Sequence, residues 1–221
     1  MAKNVGLIFG GKIENCEFFL ECLSKWKYNI AALWTPKLEI TVQLAAGFGI
    51  PFAANKPDDV VLRKDVEMVI IDCRPSLKCH IVLSALGIGK HVLCSAPMSL
   101  NLQEAISLLD ASKYYPQLLA HVAYSNELRP ALIKIRDHLI NNSLGSSLFC
   151  DVNIKCPPIS SENVYDWTWD CDAGGGVLNQ IGSYFIDAMR FLLSAKARHV
   201  LGTLCRLNSK NGRNGQYSEH R

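Results

Sequence analysis

The 221-residue sequence contains no apolar run approaching the roughly eighteen residues of a membrane-spanning helix, and so offers no such segment. It has no excess of one charge either. Lys and Arg number 23 against 20 Asp and Glu, a net charge of +3, which sets aside binding of nucleic acid or a membrane surface through bulk electrostatics. Nine cysteines, at positions 16, 22, 73, 79, 94, 150, 156, 171 and 205, form no CxxC pair and no Cys/His cluster. Neither a zinc site nor a complete disulfide framework follows from such scatter. Several lie in apolar runs, where a free thiol packs as a small hydrophobe, so the expectation is reduced thiols in the cytoplasm. The Val5–Phe9 run after Lys3 is read as a strand rather than a secretion signal, because Gly10, Gly11, Lys12 and Glu14 interrupt it. Asn141-Asn142-Ser143 matches the glycosylation pattern, which matters only in a secreted chain.

What the sequence has is regular alternation. Asn4–Phe9 closes on Gly10-Gly11 and is followed by helical spacing of Phe19, Leu20, Leu23 and Trp26. Apolar runs at Ile30–Trp34, Phe52–Ala54, Val66–Asp72, His91–Cys94 and Leu118–Ala123 complete six expected strands. Helical segments separate them at 38–48, from Pro57, at 76–86 and at 102–111. Val66–Asp72 is almost continuously apolar, as in a strand covered on both faces of a parallel sheet. Strands alternating with helices predict an α/β, doubly wound parallel sheet over residues 1–123.

Beyond it the texture changes. Residues 129–141 predict an amphipathic linking helix. Leu148–Lys155 alternates as a half-buried strand does, Tyr165–Trp169 is an aromatic loop, and Gly174–Gly176 opens a helix to Leu193. His199–Leu207 predicts another strand, and the polar, Gly-rich residues 208–221 predict a disordered tail. Residues 124–207 therefore read as the start of an α+β second domain.

The candidate chemistry lies at the carboxyl ends of the strands, where open α/β sheets bind ligands. Gly10 and Gly11 sit at the first such turn, but G-x-G-x-x-G is not met in any register. A phosphate turn at the helix N-terminus and a merely structural turn both fit, and Glu14 competes with an anion there. After the second strand, where an acid would hold ribose hydroxyls, the residues are Trp34-Thr35-Pro36-Lys37. Thr35 and Lys37 tilt the choice toward a 2′-phosphate, although a lone Lys after a strand is usually a solvated loop charge. The cofactor stays open between NAD and NADP, with binding itself unsettled. Arg74 has the most reach at the third such turn. Ser95-Ala96-Pro97 forms a corner with no acid, base or charge.

The block Asp65–Pro97, together with Asn141–Gly145, Asp172–Leu178 and Gly182–Asp187, resembles the Gfo/Idh/MocA family of NAD(P)-dependent sugar oxidoreductases. Ala32-Leu-Trp34, Leu86–Lys90 and Tyr114-Tyr-Pro116 are similar to its animal glucose-fructose oxidoreductase domain members. The resemblance covers residues 4 to about 207 and implies a Rossmann-like first domain followed by an incomplete, truncated α+β second domain. It also implies that Gly10, Gly11, Thr35, Lys37, Arg74, Ser95 and Pro97 face the cofactor. In working members the corner reads Glu-Lys-Pro, the Lys polarising or protonating the substrate oxygen, and an Asp and a His on the second-domain helix complete the set. Here the matching positions are Ala96, Gln180 and Tyr184, with Gly182 and Asp187 retained.

An Ala methyl moves no proton and a Gln is neither acid nor base. Tyr184 and, at the sixth strand, His121 are the remaining weak catalytic candidates; an unperturbed Tyr titrates near 10, far from neutral chemistry. The bland readings are a half-buried aromatic and a hydrogen-bonded structural histidine. The expectation is an oxidoreductase-family protein that is catalytically degenerate, with a binding, sensing or scaffolding role. The alternative is an active NAD(P)-dependent oxidoreductase acting on a sugar or polyol. Expected partners are a dinucleotide, a sugar-like ligand and a second copy paired through the second-domain sheet. No metal, nucleic acid or membrane partner is expected. The resemblance also allows a secreted or matrix location in place of the cytoplasm.

Overall fold

The structure is a computed structural model describing residues 4–143, 145, 147, 149–155 and 167–203. Five parallel strands, β1 (Asn4–Phe9), β2 (Asn29–Trp34), β3 (Met68–Asp72), β4 (His91–Ser95) and β5 (Ala120–Ala123), form one sheet in the order β2-β1-β3-β4-β5. Because side chains alternate across a strand, β1 sends Val5, Leu7 and Phe9 to one face and Ile8 to the other. Likewise β3 splits Met68 and Ile70 from Val69 and Ile71. Helices α1 (Ile13–Lys25) and α2 (Leu38–Phe48) cover the first face through Leu20, Leu23 and Leu44. On the second face lie α3 (Pro57–Val61), α4 (Pro75–Gly87) and α5 (Leu102–Tyr114), through Val60, Ile81, Leu86 and Leu108. This is the doubly wound arrangement expected, and its order reverses direction at β1 and β3, whose carboxyl ends flank the crevice used by ligands in such sheets.

One expected strand is corrected. Phe52–Ala54 makes a single bridge to Leu33, with the Leu33 N–H donating to the Phe52 carbonyl at 3.0 Å and the Ala54 N–H to the Leu33 carbonyl at 2.8 Å. Pro51 and Pro57 bracket this segment, and a residue without an N–H cannot continue a ladder. The sheet has five strands where six were expected.

Past β5 a 3-10 turn at Ser125–Leu128 leads into α6 (Pro130–Ile140), the expected linking helix. A π-helical turn at Leu178–Gly182 precedes α7 (Ser183–Leu193), which packs on α6 with the Arg136 guanidinium 4.5 Å from the Phe191 ring centre. The two strands expected in this half are not formed at residues 149–155 or 199–203. An alternating segment becomes a strand only against a partner that takes its N–H and C=O groups, and none is present among the described residues. Leu148, Tyr165, residues 204–207 and the polar tail 208–221 lie outside the described residues.

Candidate functional site

The carboxyl ends of β1, β3 and β4 are tied together by backbone and side chain. Gly10 follows β1, and its N–H donates to the Asp72 carbonyl at 2.7 Å. A Cβ on Gly10 would lie 2.9 Å from Cys73 Cβ and 3.1 Å from Cys73 Cα, so this glycine is required by the approach of two chain segments. Gly11 faces the Phe9 ring, which a Cβ would meet at 3.0 Å.

The β4 corner is held from below by a residue that no motif points to. Lys78, 1% exposed on α4, donates to the Ser95 carbonyl (2.8 Å), the Ser95 hydroxyl (2.9 Å) and the Pro97 carbonyl (2.9 Å). An ammonium has three donors, and all three are used. The Ser95 hydroxyl in turn donates to Asp72 Oδ1 at 2.6 Å, so a buried cation reaches a carboxylate through one hydroxyl. Burial lowers the Lys78 pKa, while Cys94, Cys73 and Asp72 oppose that shift. The sequence does carry a signal: on α4, Lys78 falls with Ile81, Val82, Ala85 and Leu86 at the spacing of one buried stripe. A lysine in such a stripe is stable only if its charge is matched by hydrogen bonds.

Ala96 is 6% exposed, and the Ala96–Pro97 peptide is cis. Its carbonyl accepts a hydrogen bond from the Tyr184 hydroxyl at 3.0 Å, which joins the start of α7 to the turn after β4. The Tyr184 ring meets Tyr124 edge-on at 5.6 Å, and its carbonyl accepts from Asn126 Nδ2 at 3.0 Å. Burial raises the Tyr184 pKa, with Asp72, Tyr124 and Cys94 pushing in the same direction. Gln180 donates to the Gly174 carbonyl at 3.0 Å. Gly174 itself has φ +86°, and a Cβ there would lie 2.6 Å from Pro75 Cβ, so the glycine run packs directly onto the start of α4. Asp187, one turn along α7 from Tyr184, has a buried Oδ2 without a hydrogen bond among the described residues. Burial and Glu127 raise its pKa, Arg190 opposing.

A cleft of about 380 Å³ opens at the ends of β1 and β2, between the loops that lead into α1 and α2; it includes Gly11, Lys12, Glu14, Thr35, Pro36 and Lys37. Lys12 precedes α1 and Lys37 precedes α2, so both helix N-termini open onto this space, with the positive end such termini present. The Thr35 hydroxyl is engaged with Thr41 Oγ1 at 2.8 Å and the Lys37 carbonyl at 3.1 Å. These groups suit an anionic nucleotide phosphate.

A family model described as "Oxidoreductase family, NAD-binding Rossmann fold" matches residues 3–123. The chain belongs to the Gfo/Idh/MocA oxidoreductase family. Among its members, glucose-fructose oxidoreductase domain-containing protein 1 of Xenopus tropicalis is 32% identical over 207 residues, spanning 92% of this chain and 51% of that protein. The corresponding protein 2 of Mus musculus is 34% identical over 177 residues, 80% of this chain and 45% of that protein. The chain thus spans about half the length of these curated relatives. Levoglucosan dehydrogenase in complex with NADH and levoglucosan superimposes with a TM-score of 0.69 at 21% identity, over 87% of this chain and 54% of that one. That likeness shows the fold.

Within this Gfo/Idh/MocA frame the expected residues separate into two places. Gly11, Thr35 and Lys37 line the cleft. Ser95, Pro97, Ala96, Tyr184 and, through Asp72, Gly10 gather at the β4 corner. Arg74 is exposed between β3 and α4. His121 is exposed on the edge strand β5, opposite Leu93 and two residues short of the strand's end, and is not brought to the corner. His80 lies on the surface, 3.4 Å from Asp58. His91, at the start of β4, accepts at Nδ1 from the Leu119 N–H at 2.9 Å. No cluster of His, Cys, Asp and Glu able to hold a metal occurs among the described residues, and no helix among them is long and apolar enough to cross a membrane.

Proposed function

We propose that this protein is a nucleotide-binding member of its oxidoreductase family that has lost proton-transfer chemistry and acts by binding, sensing or scaffolding. The observation carrying this reading is the buried Ala96 methyl at the turn after β4, where the family resemblance puts a lysine. The polar groups around it are committed to the protein itself. Lys78 donates to Ser95 and Pro97, Tyr184 to the Ala96 carbonyl, and Gln180 to the Gly174 carbonyl. A phenol already donating to a carbonyl, with its pKa raised further by burial, is poorly suited to exchange protons near neutrality.

The cofactor of this reading is NAD or NADP. The Gly10-Gly11 turn and the α1 N-terminus would hold its phosphates, and Thr35, Pro36 and Lys37 would border its ribose. When bound, a nicotinamide supplies hydride transfer; this chain's residues orient it without adding a catalytic acid. The domain division proposed is a nucleotide unit over residues 1–123 and the beginning of a second domain over 124–207. The cytoplasm is its proposed compartment, which the free cysteines at 16, 22, 73, 79, 94 and 150 support.

The test joins a binding titration to a turnover assay with sugars and polyols. Cofactor binding without turnover is the expected result. Cofactor-dependent turnover that Tyr184→Phe abolishes while the protein stays folded overturns the degenerate reading and installs a sugar or polyol oxidoreductase. Absence of binding by NADH and NADPH at millimolar concentration overturns nucleotide binding.

A further inference from the structure

We infer that the cleft at the ends of β1 and β2 selects a dinucleotide carrying a phosphate on its adenosine 2′-oxygen, NADP(H) over NAD(H), with Lys12 and Lys37 as specificity-determining residues. The inference rests on the nucleotide-binding reading above and concerns which nucleotide that site prefers.

Two features of the cleft argue for it, one by subtraction and one by charge. A ribose diol is held in such sheets by a carboxylate at the end of the second strand. Here that end is Thr35, 6% exposed, with its N–H and hydroxyl both engaged by Thr41 Oγ1, at 3.1 and 2.8 Å, and its hydroxyl also directed at the Lys37 carbonyl. The Thr35–Thr41 pair closes the β2–α2 turn on itself and leaves no carboxylate to accept from the 2′- and 3′-hydroxyls. NAD(H) therefore lacks the interaction that would favour its unmodified ribose.

The charge points the same way. Lys12 and Lys37 lie on opposite sides of the cleft, each immediately before a helix whose amino end opens there, α1 of 13 residues and α2 of 11. Both side chains are exposed, and neither ammonium is within 4.0 Å of a carboxylate among the described residues. Among those residues, the one acidic side chain lining the cleft is Glu14. Glu14 in the first turn of α1 and Glu39 in the first turn of α2 offset the two helix N-termini, and the two cations without a carboxylate partner remain to gain more from a dianionic 2′-phosphate than from a neutral hydroxyl.

The experiment is calorimetric titration of the full chain with NADP+ and NAD+, repeated with 2′,5′-ADP and 5′-AMP to isolate the adenosine end. The expected result is that NADP+ binds at least about tenfold more tightly than NAD+, as one added charge-assisted contact implies. The same preference should appear for 2′,5′-ADP over 5′-AMP and shrink as salt is raised. Lys12→Ala/Lys37→Ala should remove the preference, weakening NADP+ far more than NAD+ and 2′,5′-ADP far more than 5′-AMP. Lys25→Ala, at the far end of α1, removes one like charge and should leave the preference intact. Equal or tighter binding of NAD+ overturns the inference and leaves nucleotide binding standing. A preference that survives the double substitution overturns the assignment to these lysines. No binding of either dinucleotide removes the nucleotide reading together with this one.

Discussion

Lys78 Nζ and the Ser95 hydroxyl are 2.9 Å apart, and the same hydroxyl lies 2.6 Å from Asp72 Oδ1. One serine thus couples a buried cation on α4 to a carboxylate at the end of β3, and the β4 corner hangs between them. Lys78→Met preserves the volume of the stem and removes three donors, leaving the Pro97 carbonyl without its ammonium partner and the Ser95 carbonyl with only the weak Cys94 thiol. Chemical denaturation should show a loss of roughly 1–3 kcal/mol, the cost of buried acceptors left unmade. An unchanged midpoint would mean that water replaces the ammonium without loss.

The glycines of the first domain should divide by sign. Gly10→Ala places a methyl 2.9 Å from Cys73 Cβ and should destabilise by about 1–3 kcal/mol through overpacking. Gly47, inside α2, should behave oppositely, because a methyl added there meets nothing within 4 Å. Gly47→Ala should stabilise by roughly 0.5–1 kcal/mol, since alanine has less backbone freedom to lose in a helix. Thermal unfolding of both variants beside the parent measures the difference.

Three buried thiols set the alkaline limit. Burial pushes Cys16 and Cys73 up to about 12 and Cys94 to about 11, from an ordinary 9.0. Unfolded thiols ionise first, so the folded state's advantage is whole below pH 9 and is lost as pH climbs from 9 toward those raised values. Each pH unit in that window removes about 1.4 kcal/mol per thiol. Lys78 and Lys90 work in the opposite sense, since burial lowers both pKa values and the unfolded chain holds those protons longer. Three thiols outweigh two amines, so denaturant midpoints should fall above pH 9, and more shallowly in Cys73→Ala.

Restoring the family's lysine should not restore chemistry. Ala96→Lys puts a long cation at a 6% exposed site beside the already buried Lys78, while Gln180 and Tyr184 remain hydrogen-bonded to carbonyls. The expected outcome is no cofactor-dependent turnover of sugars or polyols, together with a lower melting temperature. Turnover from this single change would show that positions 180 and 184 are not disabling.

The sheet is legible in the sequence because buried parallel strands leave an apolar signature that needs no context: Met68–Ile71 and Val5–Phe9 read as strands from their side chains alone. Phe52–Ala54 has a similar signature, but whether three apolar residues form a strand depends on backbone donors, and the flanking prolines decide that. The segments around 149–155 and 199–203 mislead for a related reason, since alternation describes a face and not the partner that must lie beside it. At the site, the alanine at position 96 is visible from the motif. The arrival of Lys78 at the same corner is not, because a motif is read along the chain and this contact crosses seventeen residues; only its position in the buried stripe of α4 gives it away.

The place of β1 in the sheet has a consequence for how the chain folds. β1 is paired on both sides, to β2 and to β3, so Val5 meets Met68 across roughly sixty residues of intervening chain. Such non-local pairing is slow to form because the loop must close before the contact rewards it. During synthesis Val5–Phe9 waits with one edge open until β3 emerges from the ribosome. In that interval the unpaired apolar edge is open to aggregation and to chaperone capture.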